Sequence, residues 1–172
     1  MHPEVMQGLA TACRICGATP KAQQQDKKIM HGVKAVIRVG DQCLVLRKDM
    51  SIGKRWDFPG GRIEEKEVPE DAIRREIREE VSSIGNFTVG RILDTYRFQA
   101  KDHVFDIPYE VTFFEVLAEP FEVTLSEEHT DFRWVTKDTV GELQNTPDVL
   151  IEPGFFRAVQ KCLADNLKDA IQ

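Results

Sequence analysis

The chain has 172 residues, of which 41% are apolar and 30% are charged, and these values predict one globular domain with a core of ordinary size. No apolar run approaches the roughly 18 residues of a transmembrane helix, so we expect no membrane span. The 29 acidic side chains exceed the 23 basic ones and give a net charge of −6, which argues against a broad nucleic-acid surface held by phosphate contacts.

The first 28 residues differ from the rest of the chain because they show no sustained hydrophobic period of 2 or 3.6. We predict that residues 1–28 form an N-terminal arm that could be mobile, and that residues 29–172 form the domain. The arm lacks a basic segment followed by an apolar block, so we expect no signal peptide.

The four cysteines are Cys13, Cys16, Cys43 and Cys162. They are scattered rather than arranged as a secreted disulfide framework, which predicts a reducing cytoplasm. Cys13 and Cys16 form a CxxC that resembles half of a zinc knuckle, but a structural zinc site needs four ligands and the sequence holds no second CxxC. We therefore expect free thiols, and no zinc, at Cys13 and Cys16.

Strand signals begin the domain. Residues 33–39 and 43–48 are rich in β-branched and apolar side chains and flank a Gly-Asp turn signal, which predicts a hairpin. Residues 48–56 are interpreted as a polar loop. The long stretches 87–98 and 109–118 predict two strands that pair antiparallel to each other.

The C-terminal third mixes one strand with helices. Residues 132–135 predict a short strand, residues 136–144 a short helix, and residues 153–171 an amphipathic helix with apolar side chains at helical spacing. Together with a helix after residue 68, this order of elements predicts an α+β or α/β domain with a mixed sheet.

The helix after residue 68 is predicted to span residues 69–82. Pro69 suits the first helical position, and two acids follow it in the first turn, where the helix dipole favours negative charge. One stripe of this helix is apolar and consists of Ile73, Ile77 and Val81. A second stripe beside it is acidic and consists of Glu76, Glu79 and Glu80.

This acidic stripe places like charges one helical turn apart, which costs stability in an isolated helix. Arg75 lies four residues before Glu79 and can steady one of the acids. Hard divalent cations such as Mg²⁺ or Mn²⁺ prefer oxygen ligands, and carboxylates at this spacing suit them. The alternative is a solvated helix face laced with i,i+4 ion pairs. The preceding Pro59-Gly60-Gly61 brings backbone without side-chain bulk close to whatever the acids hold.

The segment from Gly61 to Glu80 resembles the signature of the Nudix hydrolase family. In that signature a Gly is followed after five residues by Glu, and after seven more by Arg-Glu, an apolar residue, any residue and Glu-Glu. The matching positions here are Gly61, Glu67, Arg75, Glu76, Ile77, Glu79 and Glu80. Ser82 and Ser83 depart from the final Gly and apolar positions, and Lys66 stands where many members have Gly. We expect Gly85 to end the helix in place of the missing Gly.

The resemblance implies a Nudix-like α/β/α sandwich with a mixed sheet, and cleavage of a nucleoside diphosphate linked to another group with Mg²⁺ or Mn²⁺. It implies metal ligands at Glu76, Glu79, Glu80 and the Gly61 carbonyl, with Arg75 orienting the acids and Glu67 as their partner. A small nucleotide would be the substrate, for example a nucleoside triphosphate or ADP-ribose. A homodimer is common in the family.

The resemblance leaves the general base open among Glu76, Glu127 and Glu128, and Glu128 precedes Trp134 by six residues, as in members with a loop carboxylate. Trp56, Arg47 and Arg55 are expected to contact substrate.

Three other functions compete with hydrolysis. A non-catalytic, nucleotide-binding regulatory domain would ordinarily have lost the helix acids, which this chain keeps. An isoprenoid diphosphate isomerase would need a reactive cysteine, and Cys43 lies inside a predicted strand. An interaction module would leave the acids as a solvated face.

Overall fold

The computed structural model describes residues 29–50, 53–101, 106–146, 149–151 and 153–164. The predicted N-terminal arm, with Cys13 and Cys16, lies outside these residues. The strands are β1 (Met30–Val39), β2 (Gln42–Met50), β3 (Gly53–Asp57), β4 (Phe87–Lys101), β5 (Asp106–Ala118), β6 (Asp131–Val135) and β7 (Val149–Leu150). The helices are α1 (Pro69–Glu80), a short 3₁₀ helix (Val140–Asn145) and α2 (Pro153–Leu163).

The strands form one mixed sheet in the order β4-β5-β1-β2-β3-β7, with β6 also paired to β2. The pairs β1–β5 and β3–β7 are parallel, whereas β1–β2, β2–β3, β2–β6 and β4–β5 are antiparallel. The predicted hairpin between β1 and β2 is confirmed, and Gly40 at its turn has φ +60°. The predicted antiparallel pairing of β4 with β5 is confirmed as well.

One helix covers each face of the sheet. On one face, α1 buries Ala72, Ile73 and Ile77 against inward-facing side chains of β1 and β2. On the other face, α2 buries Phe155, Val159 and Cys162 against a second core. Successive side chains of β1 point to opposite faces of the sheet, so β1 contributes side chains to both cores. The α/β/α sandwich is therefore confirmed. None of the helices in the described part of the chain is long and apolar enough to cross a membrane.

Three sequence predictions about local structure are wrong. The loop predicted at residues 48–56 is wrong: β2 continues to Met50, and Gly53–Asp57 form β3, because pairing with β2 and burial of Trp56 outweigh the polar composition. Helix α1 ends at Glu80 rather than residue 82, since Val81 leaves the helical conformation (φ −130°, ψ 68°) and bridges to Leu125. Gly85 does not end the helix: among the described glycines only Gly40 and Gly60 have positive φ.

The segment that follows β3 runs beside the first half of β1. Three backbone hydrogen bonds hold it there: Ala35 N to Pro59 O (2.7 Å), Val33 N to Gly61 O (2.9 Å) and Ile63 N to His31 O (3.0 Å). The register pairs of β1 with β2 lie at the hairpin end, Arg38 with Cys43 and Val39 with Gln42. Residues 59–63 therefore take the place of a strand neighbour of β1, which fixes the position of the glycines.

Candidate active site

The site is built around the glycine turn, residues Pro59–Gly61. Gly60 has φ +139°, a backbone conformation that residues other than glycine rarely adopt. A Cβ added at Gly60 would lie 2.1 Å from the Val33 carbonyl oxygen. This close approach of the turn to β1 requires a glycine. Lys34 also ties the turn down, because its ammonium donates to the carbonyl oxygens of Phe58 (3.1 Å) and Gly60 (3.0 Å).

Two acids of α1 meet the glycine turn. The Glu80 carboxylate accepts a hydrogen bond from the Gly60 N–H at 2.8 Å, and the residue is only 8% exposed. The Glu76 carboxylate lies so close to Gly61 that a Cβ there would be 2.4 Å from Glu76 Oε1. Burial raises the pKa of Glu80 to about 7. The apolar stripe of α1 aims both acids, because burial of Ile73 and Ile77 fixes the rotation of the helix.

Arg75 binds more of the acids than its spacing alone suggested. Its Nε and one Nη form a two-pronged contact with the Glu67 carboxylate, both at 2.9 Å, and this lowers the pKa of Glu67. Its other Nη donates to Glu76 at 2.8 Å and to Glu79 at 3.4 Å. Arg75 thereby links the loop acid to two acids of the helix. The Glu79 side chain remains 59% exposed.

The donor chemistry of this cluster suits a hard divalent cation, since every group is a carboxylate or a backbone carbonyl. The close packing of Glu76 on Gly61 and of Glu80 on Gly60 brings two of these carboxylates to the same turn. Within the residues that the structure describes, no three His, Cys, Asp or Glu side chains form a group that could hold a metal ion. The carboxylate and carbonyl oxygens are therefore suitable ligands for such a cation, and those of Glu76 and Glu80 lie at the same turn. Arg75 contacts two of the acids, Glu76 and Glu79.

A cavity of about 240 Å³ opens beside the turn. Its lining residues are Gly32, Val33, Lys34, Lys48, Arg55, Asp57, Gly60, Gly61, Glu80, Phe98, Tyr109, Val111 and His129. Asp57 pairs with Lys34 at 2.8 Å and with Arg55 at 3.0 Å. Burial raises the pKa of Asp57, but the charges of Lys34 and Arg55 outweigh burial and leave its pKa below the usual value.

The loop before β6 contributes His129 to the cavity lining, and its neighbour Glu128 pairs with the lining residue Lys48. His129 Nε2 lies 3.8 Å from Glu80 Oε1, and burial lowers the pKa of His129 to about 4, so the imidazole is neutral near pH 7. Glu128 is exposed and pairs with Lys48, whose hydrogen bond lowers the pKa of this carboxyl. Glu127 is also exposed. Sequence reasoning gave no role to His129, although it follows Glu128 directly.

The pleat of the sheet places the expected substrate contacts on two different faces of the sheet. Arg55 stands opposite Lys48 in the β2–β3 register, and both line the cavity. Trp56 stands opposite Arg47 and shares the other face. The Trp56 side chain is 1% exposed and belongs to the core beneath α2, while Arg47 pairs with Asp131, so neither lines this cavity.

Lys34, Lys48, Asp57 and His129 were missed as functional candidates. They come from three strands and a loop, so no spacing in the sequence connects them. The only local signal was the position of Asp57 beside the Pro-Gly-Gly turn. Among the described residues no cysteine lines the cavity, and Cys43 is buried in the α2-side core.

Comparisons with known proteins identify the family of the chain. A family model described as NUDIX domain matches residues 28–158. An 8-oxo-dGTP diphosphatase from Proteus vulgaris is 34% identical over 73 residues, which cover 41% of this chain and 63% of the relative. A nucleoside triphosphatase NudI from Escherichia fergusonii is 33% identical over 89 residues, covering 47% of this chain and 61% of that protein. The chain thus spans less than two thirds of the length of either relative.

Among solved structures, a MutT protein from Methanosarcina mazei Go1 superimposes with a TM-score of 0.61. It is 23% identical in sequence, and the match covers 83% of this chain and 98% of that one. At this identity the likeness concerns the fold alone. The family match covers most of the chain and includes the glycine turn, the acids of α1 and the loop before β6. The chain belongs to the NUDIX family.

Proposed function

We propose that the protein is a pyrophosphohydrolase that uses Mg²⁺ or Mn²⁺ to cleave a nucleoside diphosphate derivative, such as a nucleoside triphosphate or ADP-ribose. The observation that carries the proposal is the meeting of Glu76 and Glu80 at the glycine turn, on the wall of a cavity. The names of the two relatives, a diphosphatase and a nucleoside triphosphatase, support the same class of reaction. A cytoplasmic location and a homodimer stay predictions.

The metal would be held by Glu76, Glu79, Glu80 and the Gly61 carbonyl. A bound divalent cation supplies positive charge that offsets the pyrophosphate and acidifies water. Arg75 holds Glu76 and Glu79 side by side against their mutual repulsion, and the buried Gly60 N–H fixes one oxygen of Glu80. Lys48 and Arg55 add positive charge to the cavity wall, where they would attract phosphate oxygens.

We assign the general base to Glu128 rather than to Glu127. The support is its ion pair with Lys48, which ties the Glu128 carboxylate to the cavity wall, whereas Glu127 has no such ion pair with any described residue. The hydrogen bond from Lys48 lowers the pKa of Glu128, so the carboxyl is ionised at neutral pH but is a weaker base than a free Glu carboxylate.

The proposal is tested with a panel of nucleotides in Mg²⁺ and Mn²⁺, reading the phosphate species released. Glu80→Gln should abolish turnover and leave the fold intact. Glu70→Gln is the matched control, because Glu70 is an exposed acid in the first turn of the same helix. Full activity of Glu80→Gln would refute the role of Glu80. Nucleotide binding without any turnover in the wild type would indicate a regulatory domain instead.

The base is tested by the neighbouring pair of substitutions. Glu128→Gln should lower kcat about 10²- to 10⁴-fold, the usual contribution of a positioned base. Glu127→Gln should leave kcat within about twofold of the wild type. If the two variants exchanged these effects, Glu127 would be the base.

A further inference from the structure

Lys34 lines the cavity, but its ammonium group is bound by the protein itself. It donates to the carbonyl oxygens of Phe58 at 3.1 Å and Gly60 at 3.0 Å, and it lies 2.8 Å from a carboxylate oxygen of Asp57. A lysine ammonium has three N–H donors, and these three oxygens occupy all of them. Lys34 therefore has no donor left for a phosphate oxygen, although it is a cation in the cavity wall.

The carbonyl groups of residues 58–61 are bonded in an alternating pattern. Backbone N–H groups of β1 donate to the carbonyls of Pro59 and Gly61. The Lys34 side chain, which leaves β1 between those two N–H groups, donates to the carbonyls of Phe58 and Gly60. Phe58 and Gly60 are both buried, and a buried carbonyl without a partner costs free energy. The turn therefore depends on this side chain for the hydrogen bonds that the β1 backbone does not supply.

Gly60 connects Lys34 to the acids of α1. Its N–H donates to the Glu80 carboxylate at 2.8 Å, while its carbonyl accepts from Lys34. Both ends of this residue are thus held, one by a proposed metal ligand and the other by Lys34. The next carbonyl along the chain, that of Gly61, is a further proposed ligand. A shift of Gly60 would therefore displace two of the proposed ligands together.

We propose that Lys34 is a positioning residue for the metal site, which holds the glycine turn so that the Glu80 carboxylate and the Gly61 carbonyl reach the same cation. The inference rests on the proposed function, because it concerns the cation of that reaction. Two other roles for a lysine in this cavity give different expectations. A lysine that acts only through its charge repels a bound cation, and a lysine that binds phosphate affects the nucleotide alone.

The sign of the change in metal affinity separates these roles. Lys34→Met removes the three donors and the charge but keeps an unbranched chain. Lys54→Met is the matched control, because Lys54 is an exposed lysine of β3, the strand that leads into the turn. Calorimetric titration with Mn²⁺ alone gives the Kd of each variant. Positioning predicts that Kd rises about 10- to 100-fold in Lys34→Met, the range for loss of a residue that orients a metal ligand. Lys54→Met should bind Mn²⁺ as the wild type does.

Two results of this titration would overturn the inference. A lower Kd in Lys34→Met would show that Lys34 acts through its charge, because removal of a repelling charge tightens cation binding. An unchanged Kd would show that the turn does not need Lys34 to place the metal ligands, and a raised KM for ATP in the same variant would identify a phosphate-binding lysine.

A second measurement needs neither metal nor turnover. In excess chelator, hydrogen exchange at the Gly60 N–H should be about tenfold faster in Lys34→Met than in the wild type, which corresponds to the loss of about one net hydrogen bond. The amides of α2 should accelerate less than Gly60, since they do not contact the turn. Equal acceleration at both places would indicate a general loss of stability, and this result, or no acceleration at Gly60, would overturn the inference.

These measurements distinguish a failure of the inference from a failure of the proposed function. If the wild type hydrolysed no nucleotide, the proposed reaction would fail, while the Mn²⁺ and exchange data would still decide the role of Lys34. If Lys34→Met did not fold, the wild type is used instead. The ammonium protons of Lys34, observed by NMR, should exchange slowly with water and stay protected when a methylene-bridged ATP analogue is added. Rapid exchange, or loss of protection with the analogue, would overturn the inference, because the ammonium would then not be held by the turn.

Discussion

A methyl group at Gly61 gives a direct test of how Glu76 is placed. The Cβ of a Gly61→Ala variant would lie 2.4 Å from Glu76 Oε1, 2.7 Å from its Cδ and 2.8 Å from Oε2. Contacts this short do not persist, so something must move. The nearest atoms belong to the end of a flexible side chain, and Gly61 does not have the positive φ that would forbid alanine. We therefore expect Glu76 to swing away while the backbone stays in place.

The size of the effect follows from the distance that the carboxylate must move. Restoring an ordinary contact of about 3.5 Å displaces the Glu76 oxygens by about 1 Å. A displacement of about 1 Å in a catalytic constellation costs on the order of 10²-fold in rate. The free energy of unfolding should fall by no more than about 1 kcal/mol, because one hydrogen bond from Arg75 is weakened at most. For a chain of this size that lowers Tm by about 2–4 °C.

The assay measures kcat, KM and Tm for Gly61→Ala beside Gly85→Ala and Gly141→Ala. At both control positions an added Cβ meets nothing within 4 Å. The controls should match the wild type in rate, and only Gly61→Ala should lose kcat without losing the fold. Wild-type kcat in a folded Gly61→Ala protein would refute the reasoning, because it would show that the placement of Glu76 against this turn does not matter to the reaction.

Three further predictions concern stability. Gly60→Ala should destabilise the protein by several kcal/mol in urea unfolding, since the added Cβ meets the Val33 carbonyl, which is backbone and cannot yield; an undiminished Tm would contradict this. Lys66→Gly should raise the free energy of unfolding by about 1 kcal/mol, because Lys66 has φ +70° and glycine adopts that conformation without strain; a loss of stability would show that other contacts of Lys66 dominate. In excess chelator, Glu80→Gln should be more stable than the wild type by about 3 kcal/mol at pH 8. Burial raises the folded-state pKa of Glu80 to about 7, so the wild type loses stability as the pH rises through that value, and the difference should vanish near pH 4; a pH-independent difference would contradict the assignment.

The parts of the fold that the sequence predicted are those specified locally. The β1–β2 hairpin follows from one turn signal, and α1 follows from Pro69 and a regular apolar stripe. Strand β3 was missed because its residues are mostly polar and only its pairing with β2 and β7 makes it a strand. A short polar segment has no periodicity of its own to reveal the pairing.

The same distinction applies to the candidate site. The acids of α1 could be named in advance because they lie at fixed spacing on one helix. Lys34, Lys48 and His129 could not, since the sheet and a distant loop bring them together. That Phe98 rather than Trp56 lines the cavity also depends on tertiary structure, because it depends on which face of a strand meets the cavity.

The departure of the motif at Ser83 has a structural consequence that links the two halves of the site. The Ser83 hydroxyl accepts the backbone N–H of Thr124 at 2.7 Å, and one residue further along Leu125 bridges to Val81. The backbone N–H of Ser126 then donates to the Glu80 carbonyl at 3.2 Å. A glycine or an apolar residue at position 83 could not make the first of these contacts. Three successive residues of the loop are thus fastened to the end of α1, immediately before the loop presents the proposed base and His129. The end of the helix therefore fixes the position of this loop relative to the acids. A substitution at Ser83 should change the reaction rate by displacing the loop.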